Sequence, residues 1–196
     1  MDKPLDTRER ILDAAEGMLR RYGPAKTTVV DVARALGMSH ANIYRHFASK
    51  SALQDAVAER WLHRVSTPLL EFVRKKNSAA KRLESWVLAL AAVKRRKVLD
   101  DPEMFATYHA VALTARSVVE AHLRTLTAQL AAIIRDGMAS GDFKVKDPDA
   151  SAAAVLTATL RYHHPHHVAA AGGQDNEAEI RALLRLLIAG LRAGNA

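Results

Sequence analysis

The 196-residue sequence contains no cysteine and few aromatic residues, which make up 5% of the chain. Without cysteine there is no disulfide, no zinc–thiolate site and no thiol nucleophile. No uninterrupted apolar run reaches the roughly 18 residues that a transmembrane helix requires. The opening segment Met1–Asp6 also lacks the apolar core of a secretory signal. These absences lead us to expect a cytoplasmic protein that does not interact with membranes.

Sequence motifs of enzyme active sites are also missing. We find no nucleophile elbow, no phosphate-binding P-loop, no glycine-rich dinucleotide motif and no pair of catalytic carboxylates. We therefore expect a protein that is not an enzyme and that uses no cofactor.

Positive charge, in contrast, is in excess. The chain has 29 lysine and arginine residues against 21 aspartate and glutamate residues, which gives a formal net charge of +8. Such an excess favours polyanionic partners, with nucleic acid as the first choice. Residues 1–50 carry nine basic and six acidic side chains. The excess is therefore spread along the chain and does not form a single basic tail.

Apolar residues recur every three or four positions, and β-branched runs are rare. This spacing predicts an all-α protein of about nine helices. Breaks at Gly23-Pro24 and Gly37 separate shorter helices and predict a three-helix N-terminal domain over residues 1–50. The longer helices that follow predict a larger helical domain over residues 51–196.

Local signals predict where some of these helices begin and end. Asp6 with Glu9, and Thr28 with Asp31, have the spacing of capping boxes at the starts of the first and second helices. Pro68 lies inside an otherwise helical pattern and should interrupt the fourth helix, because proline cannot donate the backbone hydrogen bond.

The second and third helices flank the tight turn Gly37-Met38-Ser39, whose serine can cap the third helix. Two short helices joined in this way are typical of a helix-turn-helix unit, in which the second helix enters the DNA major groove. Ile43 and Phe47 are four residues apart and should face the core. The remaining face of this helix is polar and mostly short, as the reading of base edges requires.

The residues of this unit resemble the signature of TetR-family transcriptional regulators. The resemblance covers about residues 7–55 and is carried by Thr28, Asp31-Val32-Ala33, Gly37, Ser39, Tyr44, His46-Phe47, Lys50 and Leu53. The rest of the chain resembles the family only in its length and helical plan. Membership would imply an N-terminal DNA-binding domain followed by a ligand-binding and dimerisation domain.

The resemblance implies DNA contacts at Thr28, His40, Ala41, Asn42, Tyr44, Arg45, His46 and Lys50. Tyr44 and Lys50 correspond to phosphate-binding positions of the family, a role that suits their hydrogen-bond donors. Arg45 can pair with guanine and Asn42 with adenine through two hydrogen bonds each, although Arg45 could equally contact a phosphate. The position of Ala41 is often glycine in the family, so this sequence departs from the pattern there.

The family plan also implies a ligand cavity among the helices of the second domain. Large apolar, aromatic and histidine side chains are the candidates for its lining: Trp86, Met104, Phe105, Tyr108, His109, Leu113, Tyr162, His163 and His166. Each could instead be a core residue. Few charged residues fall among them, so we expect a small-molecule inducer that is mainly apolar or aromatic.

The last helix carries an apolar stripe that is wide for a helix covering a single core. In TetR-like proteins the last two helices of each subunit form a four-helix dimer interface, so the resemblance implies a homodimer. The candidate interface residues are Leu156, Leu160, Leu183, Leu184, Leu187, Ile188 and Leu191.

Two features allow alternatives. Four of the nine histidines lie at positions 163–167, within a helix predicted over Asp149–Ala171, and imidazoles could bind a transition metal. A metal-responsive regulator or a metal-dependent enzyme is therefore an alternative. We assign no metal ligands and favour a helix kinked at Pro165, with the histidines lining a polar pocket or interface. The basic run Arg74–Lys97 could contact nucleic acid or an acidic ligand, but solvated helix ends are the simpler interpretation.

Together these features predict a homodimeric transcriptional repressor that a small ligand releases from a pseudo-palindromic operator in double-stranded DNA. The main alternative is an architectural or nucleoid DNA-binding protein with the same fold and no ligand.

Overall fold

The computed structural model describes residues 6–112 and 115–194, apart from the side chains at positions 107, 108 and 112. Within these residues all regular elements are helical, which confirms the all-α prediction, with more helices than the nine expected. The elements are α1 (Thr7–Lys26), α2 (Val29–Ala35), α3 (His40–His46), α4 (Lys50–Ser66), α5 (Leu70–Arg74), α6 (Ala79–Asp100), α7 (Pro102–Ala112), α8 (Arg116–Ala139), α9 (Pro148–Ala158), a 3-10 turn (Leu160–Tyr162), α10 (Pro165–Ala170) and α11 (Glu177–Ala193). No helix in the described ranges is both long and apolar enough to cross a membrane.

Of the two predicted capping boxes, the N-cap half of the second one forms. The Oγ1 atom of Thr28 accepts a hydrogen bond from the backbone N–H of Asp31 at 3.1 Å and caps α2. The cap predicted at Asp6 is wrong, because its side chain makes no capping hydrogen bond at the start of α1. Near its end α1 is interrupted at Gly23, whose φ of 75° is a conformation that glycine adopts readily.

Prolines interrupt the longer helices. Helix α4 ends at Ser66, so the break predicted at Pro68 is confirmed. The continuous helix predicted over Asp149–Ala171 is wrong, because α9 ends at Ala158, but the kink expected at Pro165 coincides with the start of α10. A proline disfavours helical geometry in the residue before it but is well suited to the first turn of a new helix.

The chain divides into two compact units. The first lies within Met1–Leu62 and Asp101–Val119, and the second lies within His63–Asp100 and Glu120–Ala196. Each unit has its own set of buried apolar side chains, so each unit is described separately below.

In the first unit, α7 packs along α1, and α2 packs against α1 and α3. Trp61 of α4 is buried and meets the ring of Phe105 of α7 edge-on, with ring centroids 6.4 Å apart. Arg60, the neighbour of Trp61, forms ion pairs with three carboxylates of α1. Helix α4 therefore joins this unit through both apolar and charged contacts.

In the second unit, a buried hydrogen-bond relay connects α6, α8 and the end of α4. The indole N–H of Trp86 donates to Oε1 of Gln129 at 2.9 Å, and the amide N–H of Gln129 donates to the carbonyl of Ser66 at 3.1 Å. Buried polar groups are normally paired in this way, because an unpaired group loses its hydrogen bonds to water. The relay therefore fixes the packing of these three segments.

Candidate functional site

Helix α3 is anchored to the first unit by two side chains on its inner face. Ile43 and Phe47 are both buried, as their spacing predicts. The predicted cap also forms, because Oγ of Ser39 accepts a hydrogen bond from the backbone N–H of Asn42 at 3.3 Å. Arg8 of α1 lies over the ring of Phe47, 5.1 Å from its centroid. Sequence reasoning missed this contact because the two residues are far apart in the chain.

The opposite face of α3 is open to solvent. Its exposed residues are His40, Ala41, Tyr44, Arg45 and His46. Tyr44 exposes 47% of its surface, and the ring of His40 meets it edge-on at a centroid distance of 6.5 Å. The half-buried Asn42 donates its amide N–H to the thioether sulfur of Met38 at 3.6 Å. Because sulfur is a weak acceptor, a base edge could replace it.

Thr28 and Lys50 are placed at the starts of α2 and α4. Thr28 is exposed, and its hydroxyl lies 2.5 Å from Oδ2 of Asp31 in addition to capping the helix. The ammonium of Lys50 donates to the carbonyl of Ala25 at 3.2 Å. An ammonium has three N–H donors, so two of them remain for a further acceptor such as a phosphate oxygen.

The candidate pocket residues belong to different units. Met104, Phe105 and His109 lie in the first unit, and Trp86, Tyr162, His163 and His166 lie in the second. Leu113 and the side chain of Tyr108 lie outside the described residues. Trp86 is fully buried, and its only donor, the indole N–H, is already bonded to Gln129.

Tyr162 lines a small cleft in the second unit. Residues of α6 and of the segment before α11 line the same cleft. The cleft has a volume of about 60 Å³, and the ion pair between Arg95 and Asp175 lies at its edge with an N–O distance of 3.0 Å. Pockets for drug-sized ligands measure roughly 300–1,000 Å³. In this conformation the cleft is therefore too small to enclose such a ligand.

The second unit also contains three buried nitrogen-bearing side chains that the sequence analysis did not bring together. Lys94 belongs to the basic run interpreted above as solvated helix ends, but it is only 3% exposed, so that interpretation is wrong for this residue. His122 of α8 is 8% exposed, and His163, after the 3-10 turn, is also buried. The charge of Lys94 acts on both imidazoles, so the three groups lie within electrostatic range of one another. We call them the buried nitrogen cluster.

Burial lowers the pKa of each member of this cluster. The pKa of Lys94 falls to about 8 by desolvation. Desolvation and the positive charges of Lys94, His163 and His63 lower the pKa of His122 to about 3. Desolvation lowers the pKa of His163 to about 4, although the hydrogen bond between its Nε2 and the carbonyl of Leu156, at 3.0 Å, opposes this shift. Both imidazoles are therefore neutral near pH 7.

We expect acidification to destabilise the protein as the pH falls below about 6.5, the ordinary histidine pKa. In the unfolded chain His122 and His163 would bind protons near that pH, whereas in the folded chain they do so only near 3 and 4. The unfolded state thus binds more protons over this interval, so stability is complete above it and declines as the pH falls. Each histidine can contribute a slope of up to about 1.4 kcal/mol per pH unit.

Chemical denaturation at several pH values between about 7 and 4 measures this slope. The variant His122→Leu should show a flatter dependence than the wild type. The variant His166→Leu alters an exposed histidine and should keep the wild-type slope. If His122→Leu also keeps the wild-type slope, the buried imidazole is not its source.

The other histidines at positions 163–167 lie at the surface. The ring of His167 lies 5.4 Å from that of His164 and 5.5 Å from that of His166, between centroids. Among the described residues, no group of three or more histidine, aspartate or glutamate side chains is arranged to hold a metal ion. The described residues therefore do not bring together the set of ligands that a metal-responsive mechanism would need.

The candidate interface residues differ in their exposure. Leu156, Leu184 and Leu191 are buried within the second unit, whereas Leu183, Leu187 and Ile188 are half-buried and Leu160 is exposed. The most exposed large apolar side chain of α11 is Leu186, at 73%, which the sequence analysis did not include. It lies three residues after Leu183 of the stripe, and this spacing could have suggested it.

Two parts of the chain match family profiles. Residues 11–57 match the profile described as bacterial regulatory proteins, tetR family, and residues 79–184 match the tetracyclin repressor-like C-terminal domain. The second match alone covers more than half of the chain.

Individual proteins with similar sequences and structures agree with these matches. An HTH-type transcriptional regulator of Mycobacterium tuberculosis is 32% identical over 100 residues, which are 51% of this chain and 48% of that protein. The nucleoid occlusion factor SlmA of a Marinomonas species is 30% identical over 83 residues, which are 42% of each chain. The chain thus spans about half the length, or less, of these curated relatives.

Among solved structures, the transcriptional regulator FadR from Bacillus subtilis, in complex with stearoyl-CoA, has the same fold. Its TM-score is 0.66 at 18% identity, and the alignment covers 93% of this chain and 98% of that chain. Because the family profiles match both the helix-turn-helix segment and most of the second unit, the chain belongs to the TetR family of bacterial regulatory proteins.

Proposed function

We propose that this protein is a homodimeric transcriptional repressor that binds a DNA operator and is released from it by a small ligand. The observation that carries the proposal is the exposed polar face of α3, held by the buried side chains of Ile43 and Phe47. This arrangement lets a rigid helix enter a major groove about 12 Å wide while the core stays intact. Family membership and the HTH-type relative support the same function.

In the proposed complex, two copies of α3 enter major grooves about one helical turn, or 34 Å, apart and read a pseudo-palindrome. Arg45 and Asn42 would contact base edges. Tyr44, Lys50 and Thr28, with the help of His46, would bind phosphates and fix the register of α3 on the duplex.

Ligand release requires two conformations that differ in their affinity for DNA. A ligand shifts the equilibrium between the two conformations only as far as it binds one conformation more tightly than the other. The FadR structure with stearoyl-CoA supports a ligand response in this chain, because it has the same fold with a small molecule bound.

Substitutions on α3 and at its flanks separate phosphate contacts from base contacts. We expect Tyr44→Phe and Lys50→Ala to weaken binding to all duplexes similarly, since phosphates carry no sequence information. Arg45→Ala should instead reduce discrimination between the operator and a mismatched duplex by about 1–3 kcal/mol. Fluorescence anisotropy with an operator selected from random duplexes measures both effects.

The variant Arg124→Ala changes an exposed arginine of α8 and is the control for a general loss of positive charge. It should bind the operator like the wild type. A changed sequence preference in Tyr44→Phe or Lys50→Ala would contradict the assignment of these residues to phosphates.

The second candidate function is a ligand-independent nucleoid DNA-binding protein, which the similarity to the nucleoid occlusion factor SlmA favours. Genome-wide footprinting distinguishes the two. A local repressor should occupy one or a few sites beside regulated genes, whereas a nucleoid protein should occupy many sites across the chromosome.

A further inference from the structure

The start of helix α4 holds the last turn of α1 through two side chains. Nζ of Lys50 donates to the carbonyl of Ala25 at 3.2 Å, and Nε2 of Gln54 donates to the carbonyl of Pro24 at 2.9 Å. Lys50 and Gln54 are four residues apart on α4 and therefore lie on the same face of the helix. We call these two hydrogen bonds the α4 clamp.

The clamp gives partners to carbonyls that α1 cannot satisfy itself. The last carbonyls of a helix have no N–H group of that helix within reach, and α1 ends at Lys26. The carbonyl of Gly23 accepts from the backbone N–H of Thr27 at 3.2 Å and from its Oγ1 at 2.8 Å. The next two carbonyls, those of Pro24 and Ala25, are the ones that the clamp binds. Their position therefore depends on α4.

The clamp lies beside the residues proposed to bind phosphates. Thr28, Lys50 and Gln54 line one cavity of about 10 Å³. A single water molecule needs about that volume or more, so these side chains are closely packed. Lys50 is charged and keeps two ammonium donors for a phosphate oxygen, whereas Gln54 is neutral and half-buried. The two members of the clamp thus have different roles, one toward DNA and one toward the protein.

We propose that Gln54 is a positioning residue for DNA binding. It fixes the last turn of α1 onto α4, and this turn carries the carbonyl of Ala25 that orients the ammonium of Lys50. Gln54 does not need to touch DNA, because its effect passes through Lys50. The inference rests on the proposed role of Lys50 as a phosphate contact.

Orientation matters because a lysine side chain has many rotamers, and phosphate binding selects only those that reach the DNA backbone. An ammonium that is already held in place loses less conformational entropy when it binds. Without Gln54, the turn that holds Lys50 would lose one of its two hydrogen bonds to α4. The ammonium and its carbonyl partner could then move together, and the phosphate contact would weaken.

Fluorescence anisotropy of the full chain with a random-sequence duplex tests this role, because phosphates are the same in every sequence. Gln54→Met keeps the length of the side chain and removes its N–H donor. We expect the affinity to fall by about three- to tenfold, the factor equivalent to one net hydrogen bond. The slope of log affinity against log salt concentration should become shallower by up to about 0.9, since it counts the phosphates that are neutralised.

A double variant shows whether Gln54 acts through Lys50. Lys50→Ala/Gln54→Met should bind the duplex as Lys50→Ala does, to within about twofold, because no ammonium remains to be positioned. Independent roles would instead multiply the two losses.

Gln174→Met is the matched control, because it makes the same replacement at an exposed glutamine of the second unit. It should keep the wild-type affinity and salt slope. Urea denaturation verifies that each variant is folded. Loss of one neutral hydrogen bond at a half-buried residue should leave the fold of Gln54→Met intact.

Three results would overturn the role of Gln54: wild-type affinity and slope in Gln54→Met, losses that multiply in the double variant, or wild-type affinity in Lys50→Ala. A protein that binds no duplex at all would overturn it together with DNA binding. A wild-type protein that binds random duplexes but selects no operator would contradict the proposed repressor alone, because the clamp is measured without an operator.

Discussion

Replacement of Arg60 by methionine is expected to lower the free energy of unfolding by about 2–4 kcal/mol, because it removes the cation that faces a buried carboxylate. Nη2 of Arg60 lies 2.6 Å from Oε2 of Glu16, and Nη1 lies 2.7 Å from Oδ1 of Asp13 and 3.2 Å from Oε2 of Glu9. Glu16 is only 7% exposed. Without the guanidinium, α1 would present three carboxylates along one face toward α4.

The three carboxylates should contribute unequally to the free energy of unfolding that depends on Arg60. The side chains of Glu9 and Asp13 are substantially exposed, so water screens their attraction to Arg60 and each is worth at most about 1 kcal/mol. Most of the effect should therefore come from Glu16. Urea denaturation of Glu9→Gln, the control for a surface ion pair, should give a stability close to that of the wild type.

A double variant tests this explanation. In Arg60→Met/Glu16→Leu both partners are apolar, and buried ion pairs can often be replaced in this way with little loss of stability. The double variant should therefore be more stable than Arg60→Met alone. If it is equally unstable or worse, the loss in Arg60→Met comes from packing of the arginine stem rather than from loss of the ion pair with Glu16.

The features that the sequence predicted best depend on local chemistry. The Thr28 and Ser39 caps each close a hydrogen bond within three residues, so the spacing of the side chains determines them. The break near Pro68 follows from the missing N–H of proline alone. Ile43 and Phe47 could be assigned to the core because one helical turn separates them on a short helix.

The features that could not be predicted from the sequence depend on tertiary packing. The acidic residues of α1 have helical spacing, but only the fold brings Arg60 against them. Lys94 belongs to a run of four basic residues, and the run does not indicate which of them faces inward. His122 has no neighbouring motif at all. Its environment arises only when α6 and α8 pack together, so sequence periodicity cannot distinguish it from an ordinary core residue.

The helix predicted through residues 163–167 is wrong for a related reason. The helical apolar pattern continues through this segment, and it predicted one helix with its histidines on shared faces. The structure separates them, because the chain leaves helical geometry after Ala158 and resumes it at Pro165. One histidine, His163, becomes buried while its neighbours remain at the surface.

For the proposed homodimer, we infer that the outer face of α11 contacts the second copy. Leu186 is 73% exposed there, and the exposed Ala182 and Ala189 lie one turn before and after it. Small residues beside a large apolar one allow another helix to approach closely. A two-fold axis through this face would bury the same patch from both copies, as symmetric dimers do.

Leu186→Glu should therefore convert the dimer to a monomer at micromolar concentration, because two like charges would meet in an apolar contact. In the dimer, binding of one helix-turn-helix unit holds that of the other copy near the DNA at a millimolar effective concentration. Loss of this link should lower operator affinity by about 100-fold or more. Light scattering after gel filtration and DNA anisotropy measure the two effects. The control Leu123→Glu places the same charge at an exposed leucine of α8 and should remain dimeric. A dimeric Leu186→Glu protein with wild-type operator affinity would exclude this face of α11 as the interface.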